Sequence, residues 1–574
     1  MSWIKKLDKL SSGKLIFIIC LVGFFVWANV LFNGFVWDDE EEIVNNKIIH
    51  NWSNLSQIIS GGTFNTGGTG ALSGWFFRPA RTLTLMINYS IWGPHAFGWH
   101  LIQVLFHLVN TILVFKILIR LLEKSSYKNL LAAILSLVFV VHSALSEAIV
   151  YIAAASEVMF TFCNLAAFYL LLKVEKTLST WRRAAGFGLL LFTAMLVKES
   201  AIIMVPIIIL YLFLFRIKEW QKWLSAMLVV FVGYFILRLV IIQTPIQPLK
   251  LSIISEAPLV HRLLTMPYIV FGYLKIIFFP SYLAISQQHV VRSISINQFF
   301  LPLMLSGLFF GLFLYASFRF RSKIIFFGLA WFSLGLGPIL NIFPLDMTIG
   351  ERWLYSPFIG LIIAFAGLFA SLLAKYPKFL ILISCLALMV PILGIRTIIR
   401  NLNWHDGLTL YSHDLRLNPD SFDIENNLGV ELFRYGKIEE AKPHFERSLK
   451  LNPKWHFAMN NLGAVYQREG NYQKAEELYQ SVLKQSDYYL AYENLAYLIL
   501  ETSTLEETIN FTKEAVAKFP QNSRLRVVLA LAYYQNSQFK EAEIEAKEAF
   551  FLEPSVANQA LIRMIIERKE IKLD

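Results

Sequence analysis

The sequence predicts an all-α protein in which a helical membrane domain of about 11 spans precedes an extracytoplasmic solenoid of helical repeats. Hydrophobic residues make up 56% of the 574 residues and charged residues 16%, whereas soluble domains are nearer a quarter charged. Long apolar runs recur between residues 1 and 400. Residues 401–574 lack such runs and instead repeat a pattern of about 34 residues.

Charge divides the chain at the same point. Residues 401–574 hold 20 Lys and Arg against 26 Asp and Glu, a net charge of −6, and residues 1–400 carry a net charge of +17. A nucleic-acid-binding protein would cluster its basic residues on a soluble face. Here they lie between apolar runs, so we interpret them as signals of membrane topology. The 3 cysteines lie within apolar runs, without metal-ligand spacing, and predict no disulfide framework.

About 20 apolar residues are needed for a helix to cross a bilayer. The predicted spans are 15–33, 99–119, 129–146, 157–173, 184–197, 200–215, 223–242, 298–318, 323–340, 356–374 and 379–397. The segment 259–279 is also apolar but contains His261, Arg262 and Lys275. It is either a further span or a helix that lies at the membrane surface or re-enters the membrane.

Basic residues predict the topology, because Lys and Arg accumulate in short cytoplasmic loops. The clusters are Lys5, Lys6, Lys9 and Lys14; Arg120, Lys124 and Lys128; Lys173, Lys176, Arg182 and Arg183; Arg216, Lys218 and Lys222; Arg319, Arg321 and Lys323; Lys375 and Lys378. All of them fall on one side if 259–279 does not cross. The amino terminus is then cytoplasmic and the repeats lie on the far side. Short loops and few cysteines favour a bacterial inner membrane, with the repeats in the periplasm; in a eukaryote they would lie in a lumen.

The carboxyl-terminal region has an internal period. NNLG at 426–429 returns at 460–463, 34 residues later. Recurring positions are Leu428, Leu462, Leu495 and Leu529; Ala441, Ala475, Thr508 and Ala542; Pro453, Asp487, Pro520 and Pro554. This is the tetratricopeptide (TPR) period, and it predicts four full repeats over 422–555, a partial repeat at 404–417 and a capping helix at 556–570. Such a solenoid presents a surface that binds a protein or peptide partner.

Ionisable residues collect at the far-side ends of the spans, where their burial is costly and function is a common reason for it. Five consecutive acids, Asp38 to Glu42, follow the first span. The others singled out are Arg78, Arg81, His100, His107, Asn110, His142, Glu147, Glu157, Lys198, Glu199, Glu351 and Arg352. Together they predict a polar cavity at the membrane surface. Singly, each also fits a simpler role: a solvated acidic loop, a packing role for His107, or a self-neutralising Lys198–Glu199 pair.

Five stretches resemble one family. FVWDD, FRPARTLTLMINYSIWG, VHSALSEAIVYIAAASEVMF, LVKES and ERWLYSPFIG, in this order and followed by the repeats, resemble the transmembrane and tetratricopeptide-containing (TMTC-like) O-mannosyltransferases. More broadly, the chain is similar to GT-C glycosyltransferases. The resemblance implies a multi-span transferase domain at 1–400 and a TPR domain at 401–574. It also implies an acidic motif at Asp38 and Asp39, a polyprenyl-phosphate sugar as donor, and transfer to hydroxyl groups.

The chemistry of such a transfer agrees with these residue types. A hydroxyl is a poor nucleophile at neutral pH, and a carboxylate within hydrogen-bond reach can take its proton. The leaving lipid phosphate needs positive charge, which arginine supplies in a planar fork. We predict Asp38 as the base and Asp39 as a residue that orients it or the acceptor. The predicted phosphate ligands are Arg78, Lys198 and Arg352, and the predicted sugar or acceptor ligands are Glu147, Glu157 and His142. No metal ligands are predicted.

The alternative is a non-enzymatic membrane scaffold that recruits extracytoplasmic partners through its repeats. This explains the solenoid, but it does not explain why ionisable residues gather at one end of the spans. A transporter is less favoured, because the charges are not at mid-depth in the membrane.

Overall fold

The computed structural model describes residues 10–60, 76–174, 181–241 and 252–569. Within these ranges the chain is helical, and its β structure is limited to a single bridge between Gln287 and Ile349. This confirms the predicted all-α class. Residues of the sequence-based interpretation that fall outside the described ranges are Lys5, Lys6, Lys9, Lys176, residue 242 of the seventh predicted span and residue 570 of the capping helix.

The described residues form two compact units, 10–418 and 419–569. The helix over 404–417, which the sequence groups with the repeats, therefore belongs to the first unit. Helices of the first unit are α1 (Ser12–Trp27), α2 (Leu55–Ser60), α3 (Pro79–Trp92), α4 (Ala96–Leu121), α5 (Lys128–Val141), α6 (Ser146–Val150), α7 (Ala155–Val174), α8 (Trp181–Val197), α9 (Met204–Leu214), α10 (Trp220–Phe235), α11 (Ile253–Glu256), α12 (Leu259–Phe278), α13 (Leu301–Arg319), α14 (Lys323–Leu336), α15 (Tyr355–Lys375), α16 (Leu380–Leu402) and α17 (Gly407–Leu417).

Among the described residues, 7 helical segments are long and apolar enough to cross a membrane. They are Ser12–Phe32, Ala96–Leu121, Ile152–Lys173, Trp220–Val240, Ile296–Arg319, Glu351–Lys375 and Pro377–Leu402. The pair Lys128–Val141 and Ser143–Val150, bent by 53°, would form an eighth span. The other three predicted spans correspond to α8, Glu199–Leu214 and Lys323–Ile339, which are shorter helices. The chain is thus a multi-pass membrane protein.

Glycines let α14 and α15 pack at close range. A Cβ atom on Gly328 would lie 2.2 Å from the backbone nitrogen of Ala364, and one on Gly360 would lie 2.4 Å from that of Phe332. Only hydrogen atoms fit at these two positions. Small residues at helix contacts are the usual means of close packing in membranes, where lipid removes the hydrophobic drive between helices.

The break between α5 and α6 is supported by side chains from three other helices. The carbonyl of Val140 accepts hydrogen bonds from the Trp27 indole (2.7 Å) and the His107 ring (3.1 Å). The Thr397 hydroxyl donates to the carbonyl of Val141 at 2.6 Å. Carbonyls that a helix break frees must find such partners inside a membrane. His107 is therefore a hydrogen-bonded packing residue, as the sequence indicates.

Helix α17 is held in the first unit by a buried acid. Asp414 accepts hydrogen bonds from Arg400 at 2.9 Å and from the backbone N–H of Ile285 at 2.7 Å. The side chains of Asp414 and Arg400 are both fully buried. Glu351 lies 3.9 Å from the same guanidinium group. A buried arginine with acids on two sides fixes the end of α16 against α17 and the segment around residue 285.

The second unit consists of paired antiparallel helices. They are α18 (Phe422–Arg434), α19 (Ile438–Leu451), α20 (His456–Arg468), α21 (Tyr472–Leu483), α22 (Tyr489–Thr502), α23 (Leu505–Lys518), α24 (Ser523–Gln535), α25 (Phe539–Leu552) and α26 (Val556–Glu567). The turns after α18 and α20 contain Gly436 and Gly470, with φ of +74° and +75°, a conformation that favours glycine. Four helix pairs and a final helix match the four repeats and cap predicted from the sequence.

Replacing Asp414 with alanine tests the buried pair. We expect the free energy of unfolding of the first unit to fall by about 3–5 kcal/mol, because Arg400 would remain buried without this partner. Thermal unfolding of the purified protein in detergent measures the change as a lower Tm. The matched control is Asp420→Ala, because Asp420 pairs with Arg447 at an exposed site, where a pair contributes roughly 0.2–1 kcal/mol. Equal Tm values for the two variants would contradict the role of Asp414.

Candidate functional site

The five acids after the first span lie in different environments. Asp38 is exposed, and Asp39 and Glu42 are buried. Glu40 is half-buried and Glu41 is exposed. Trp37, directly before them, has φ of +57°, a left-handed conformation that is rare for a bulky residue. The chain therefore turns sharply at Trp37.

Asp38 lies at the edge of an aromatic and cationic group. The Tyr151 hydroxyl donates a 2.6 Å hydrogen bond to its carboxylate. The Tyr151 ring stacks on Trp37, with centroids 5.0 Å apart. The guanidinium carbon of Arg352 lies 5.4 Å from the Trp37 ring and 5.9 Å from the Tyr151 ring. Tyr151 thus contacts both Asp38 and Arg352, two of the residues singled out from the sequence.

The environment raises the pKa of Asp38 to about 6. Desolvation by the surrounding protein atoms is the main cause, and the charge of Glu42 adds to it. The Tyr151 hydroxyl and Arg352 oppose the shift, because both stabilise the ionised carboxylate. Asp38 is therefore a base near neutral pH that remains accessible from one side.

Asp39 is fully buried, and its carboxylate accepts hydrogen bonds from two backbone N–H groups. Its carboxylate accepts from the N–H of Val36 at 3.2 Å and from that of Ala153 at 2.7 Å. Burial raises the pKa of Asp39 well above its ordinary value, and these two hydrogen bonds oppose the shift. Asp39 thus fastens the loop after the first span to the start of α7, beside Asp38.

Glu42 and Arg81 form a buried ion pair, with side chains 6% and 2% exposed. Arg81 also donates to the carbonyl of Ala153 at 2.8 Å. This pair therefore attaches the acidic loop to α3 and, like Asp39, to Ala153. Neither Glu42 nor Arg81 is among the site residues predicted from the sequence.

The predicted phosphate ligands each have an acidic partner. Arg352 pairs with Glu147, which is fully buried and also accepts from the backbone N–H of Arg352 at 2.8 Å. Asp346 lies 3.3 Å from the same guanidinium group. Glu147 therefore positions Arg352. Because its carboxylate is buried and bonded to Arg352, the prediction of Glu147 as a direct sugar ligand is wrong.

Lys198 and Glu199 point to different partners, so their interpretation as a self-neutralising pair is wrong. Lys198 pairs with the buried Glu157. Glu199 accepts from Arg78 at 2.9 Å, and Arg238 lies 3.7 Å away. The extended backbone of Lys198, with φ of −156°, sends the two adjacent side chains in opposite directions.

The charge of Lys198 is affected by two other cations, Arg78 and Arg352. The pKa of Lys198 is lowered from its ordinary value, first by desolvation and then by the positive charges of Arg78 and Arg352. Glu157 opposes this shift but does not cancel it. Arg78 and Arg352 therefore each act on the charge of Lys198, although all three cations are paired with acids.

A cavity of about 100 Å³ adjoins the Lys198–Glu157 pair. Its walls are mainly apolar and include Phe160, Ile339 and Trp353. The Lys198–Glu157 ion pair therefore faces a mainly apolar cavity.

His142 lies apart from the acids. One ring nitrogen lies 3.0 Å from the carbonyl of Ile277, and the other accepts from the backbone N–H of Ala144 at 3.2 Å. His142 therefore caps the helix break. Among the described residues, no group of three or more His, Cys, Asp or Glu side chains is arranged to hold a metal ion.

Sequence reasoning assigned no role to Tyr151, Trp37 or Asp346, and it singled out Glu42 and Arg81 only as members of the ionisable set. Tyr151 and Trp37 do lie inside the quoted stretches VHSALSEAIVYIAAASEVMF and FVWDD. The available signal was a tyrosine between two glutamates at a span end. It is weak, because Trp and Tyr are common at membrane interfaces.

Fold and site together define a multi-pass helical membrane protein with an exposed acid after its first span, a group of paired cations and a carboxyl-terminal TPR solenoid. A family model described as tetratricopeptide repeat matches residues 426–507. YrrB, a solved TPR protein described as having an unusual peptide-binding site, is 14% identical, with a TM-score of 0.24, and the match covers 28% of this chain and 82% of YrrB.

Curated relatives of similar sequence are named as transferases. The chain is 25% identical over 487 residues to protein O-mannosyl-transferase TMTC3 of Mus musculus, a match that covers 77% of this chain and 51% of the relative. It is 25% identical over 506 residues to protein O-mannosyl-transferase Tmtc3 of Drosophila melanogaster, which covers 75% of this chain and 54% of the relative. The chain spans about half the length of the curated relatives it matches. The chain is therefore similar to TMTC O-mannosyl-transferases, which confirms the predicted resemblance.

The pKa of Asp38 is directly testable. We expect its carboxyl to lose its proton with a midpoint near pH 6, visible in infrared difference spectra as loss of the protonated C=O band. Asp38→Asn identifies the band by removing it. Tyr151→Phe should raise the midpoint, because it removes a hydrogen bond that stabilises the charged form. A midpoint near 4 in the unmodified protein, or an unchanged midpoint in Tyr151→Phe, would contradict the assigned environment.

Proposed function

We propose that this protein is a membrane glycosyltransferase of the GT-C type. It transfers a sugar, mannose by analogy with the names of its relatives, from a polyprenyl-phosphate donor to the hydroxyl of a protein Ser or Thr. The observation that carries the proposal is Asp38: an accessible carboxylate with a pKa of about 6, oriented by Tyr151 and next to the cation Arg352. The names of the curated relatives support the reaction class.

In the proposed reaction, the acceptor hydroxyl attacks the anomeric carbon of the sugar from the side opposite the phosphate. A bond forms between the acceptor oxygen and the anomeric carbon, and the bond from that carbon to the phosphate oxygen breaks. Asp38 takes the hydroxyl proton. The leaving polyprenyl phosphate departs as an anion, so it needs no proton from the protein. Transfer of this kind inverts the configuration at the anomeric carbon.

Lys198, Arg78 and Arg352 bind the phosphate in this proposal. The positive charges of Arg78 and Arg352 disfavour the charged form of Lys198, and a bound phosphate would offset this effect. The acids Glu157, Glu199 and Glu147 hold the three cations in position. The apolar cavity beside Lys198 receives the first part of the lipid. Because the buried glutamates are paired with cations, the contribution of Glu147 and Glu157 is indirect.

The proposed topology follows the basic clusters. The amino terminus is cytoplasmic, and the acidic loop and the TPR unit lie outside the cytoplasm, in the periplasm of a bacterial cell. The donor phosphate would lie at the outer interface of the membrane, which is where residues just beyond the first span are expected. The TPR unit would hold the protein acceptor.

Asp38→Asn should abolish transfer without loss of the folded protein. The amide keeps the shape of the side chain but cannot accept the proton at neutral pH. Purified protein is incubated with a polyprenyl-phosphate mannose and a Ser/Thr-containing peptide, and the glycopeptide is measured by mass spectrometry. Glu41→Gln is the matched control, because Glu41 is a nearby exposed acid. Full activity of Asp38→Asn refutes the assignment. If the unmodified protein turns over none of the polyprenyl-phosphate sugars tested, the non-enzymatic scaffold is favoured instead.

Lys198→Gln should weaken binding of the polyprenyl-phosphate donor. A hydrogen bond to a charged group contributes about 1.5–3 kcal/mol, so the KM for the donor should rise roughly tenfold to a hundredfold. The KM for the acceptor peptide should change little. The control is Lys222→Gln, which removes a lysine that pairs with Glu219 and is not one of the proposed phosphate ligands. An equal rise in both KM values would indicate general damage to the site rather than lost phosphate binding.

A further inference from the structure

The loop between α14 and α15 carries an accessible acid that the proposed transfer does not use. Asp346 lies in this loop, and 44% of its side-chain surface is exposed. Its carboxylate oxygen Oδ2 lies 3.3 Å from the guanidinium group of Arg352. Among the described residues, its other oxygen, Oδ1, accepts no hydrogen bond. Asp346 thus presents an acceptor oxygen beside one of the proposed phosphate ligands.

Hydrogen bonds hold the loop backbone at Asp346. Gln288, from the segment that precedes α13, donates to the carbonyl of Asp346 at 2.9 Å. The side chain of Asn341 donates to the carbonyls of Met347 and Thr348 at 3.2 Å and 3.3 Å. Asn341 has φ of +58°, a conformation that asparagine adopts more readily than most other residues. The fold therefore fixes the point at which the Asp346 side chain leaves the backbone.

Asp346 also lies close enough to Asp38 to affect it electrostatically. The negative charge of Asp346 contributes to the raised pKa of Asp38. Arg352 lies near both acids: its guanidinium carbon is 5.4 Å from the ring of Trp37, the residue before Asp38, and one of its nitrogens is 3.3 Å from Asp346. Asp38 and Asp346 are both accessible, whereas Glu147, the other acidic partner of Arg352, is fully buried. The candidate site thus has a second accessible acid besides the proposed base.

Holding Arg352 in place does not by itself require Asp346. Glu147 already binds the guanidinium group of Arg352 and accepts from its backbone N–H at 2.8 Å. Asp346 does not favour phosphate binding either, because a carboxylate repels a second anion at the same cation. Its chemistry instead suits hydroxyl groups. An ionised carboxylate offers two acceptor oxygens, and a hydrogen bond to a charged acceptor is stronger than one between neutral groups.

We propose that Asp346 binds hydroxyl groups of the hexose carried by the lipid donor. This inference rests on the proposed function, in which Arg352 is a ligand of the donor phosphate. The sugar is bonded directly to that phosphate, so a phosphate on Arg352 brings the sugar hydroxyls toward the neighbouring carboxylate. Asp346 thereby has the sugar-binding role that the sequence assigned to the buried Glu147.

Such a contact makes the site selective for the sugar. A site that hydrogen-bonds a substrate hydroxyl discriminates strongly against an analogue without it, because the polar group of the site is left without a partner. Hexoses differ in the direction of single hydroxyl groups, so a fixed acceptor favours the epimers that point a hydroxyl toward it. Asp346 is therefore a specificity-determining residue, with a role separate from that of the base Asp38 and from that of the phosphate ligands.

Binding of two lipids separates sugar recognition from phosphate recognition. The probes are a short-chain polyprenyl phosphate that carries mannose and the same lipid phosphate without sugar. Each is titrated calorimetrically into the full-length protein in detergent, without acceptor. Asp346→Ala should weaken binding of the mannosyl lipid about tenfold to a hundredfold, the loss expected for a hydrogen bond to a charged group. The variant should bind the sugar-free lipid at least as tightly as the unmodified protein does, because a negative charge next to Arg352 is removed.

Monodeoxy analogues of the mannosyl lipid identify the hydroxyl that Asp346 binds. We expect at least one analogue to bind the unmodified protein about tenfold or more weakly than the mannosyl lipid does. The same analogue should bind Asp346→Ala as tightly as the mannosyl lipid binds that variant. The loss from the protein change and the loss from the lipid change are then not additive, as expected for two groups in direct contact.

The matched control is Glu256→Ala. Glu256 is an exposed acid on α11, and Ser252, which caps that helix, donates to the carbonyl of Leu345 in the same loop. This variant should bind both lipids as the unmodified protein does.

Three results would overturn the proposal. They are an equal loss of affinity for both lipids in Asp346→Ala, which would indicate that Asp346 only positions Arg352; an unchanged affinity of that variant for the mannosyl lipid; and no binding of the mannosyl lipid to the unmodified protein. The proposed function is tested separately. If both lipids bind as expected but the unmodified protein transfers no sugar, the sugar site is supported and the proposed transfer is contradicted.

Discussion

The segment from Val141 to Glu157 is the constraint on which the candidate site depends. Two of its glutamates form ion pairs, Glu147 with Arg352 and Glu157 with Lys198. Its Tyr151 hydroxyl donates to Asp38, and the backbone of Ala153 is hydrogen-bonded to Asp39 and Arg81. A continuous helix could not provide the two contacts of Ala153, because its backbone N–H and C=O groups would be bonded to one another. The breaks in the segment release those groups and turn the side chains toward the acidic loop.

Most acids of the candidate site are held by a cation or by backbone N–H groups. Glu42, Glu147 and Glu157 each have a cationic partner, and Asp39 is held by two backbone N–H groups. Asp38 has only a neutral hydroxyl as its hydrogen-bond partner among the described contacts, with Arg352 alongside. Removing a buried partner would leave an uncompensated charge, whereas a change at Asp38 would not. The acid that is structurally the least constrained is thus the one open to chemistry.

Much of the fold could be predicted from the sequence, because the apolar runs and the repeat period are long and redundant. The 34-residue spacing located the paired helices, and the order of the five stretches located the acidic loop. Specific pairings could not be predicted, since they depend on backbone direction: adjacent Lys198 and Glu199 separate because that backbone is extended. Tyr151 was missed because one tyrosine at a span end carries little information. The span count differs because apolar composition does not show whether a short run forms a full crossing.

The helix break at His142 also has a consequence for biogenesis. Thr397, which satisfies the carbonyl of Val141, follows it by 256 residues in the chain. During synthesis, the broken segment is therefore made long before the last helix that supports it. Until α16 arrives, that carbonyl must rely on water or on the insertion machinery for a partner, because lipid offers none. The candidate site is thus completed only when α16, the final membrane helix, has been made. A chain truncated before α16 would contain every acid and cation of the site, but the helix break would lack its hydrogen bond from Thr397.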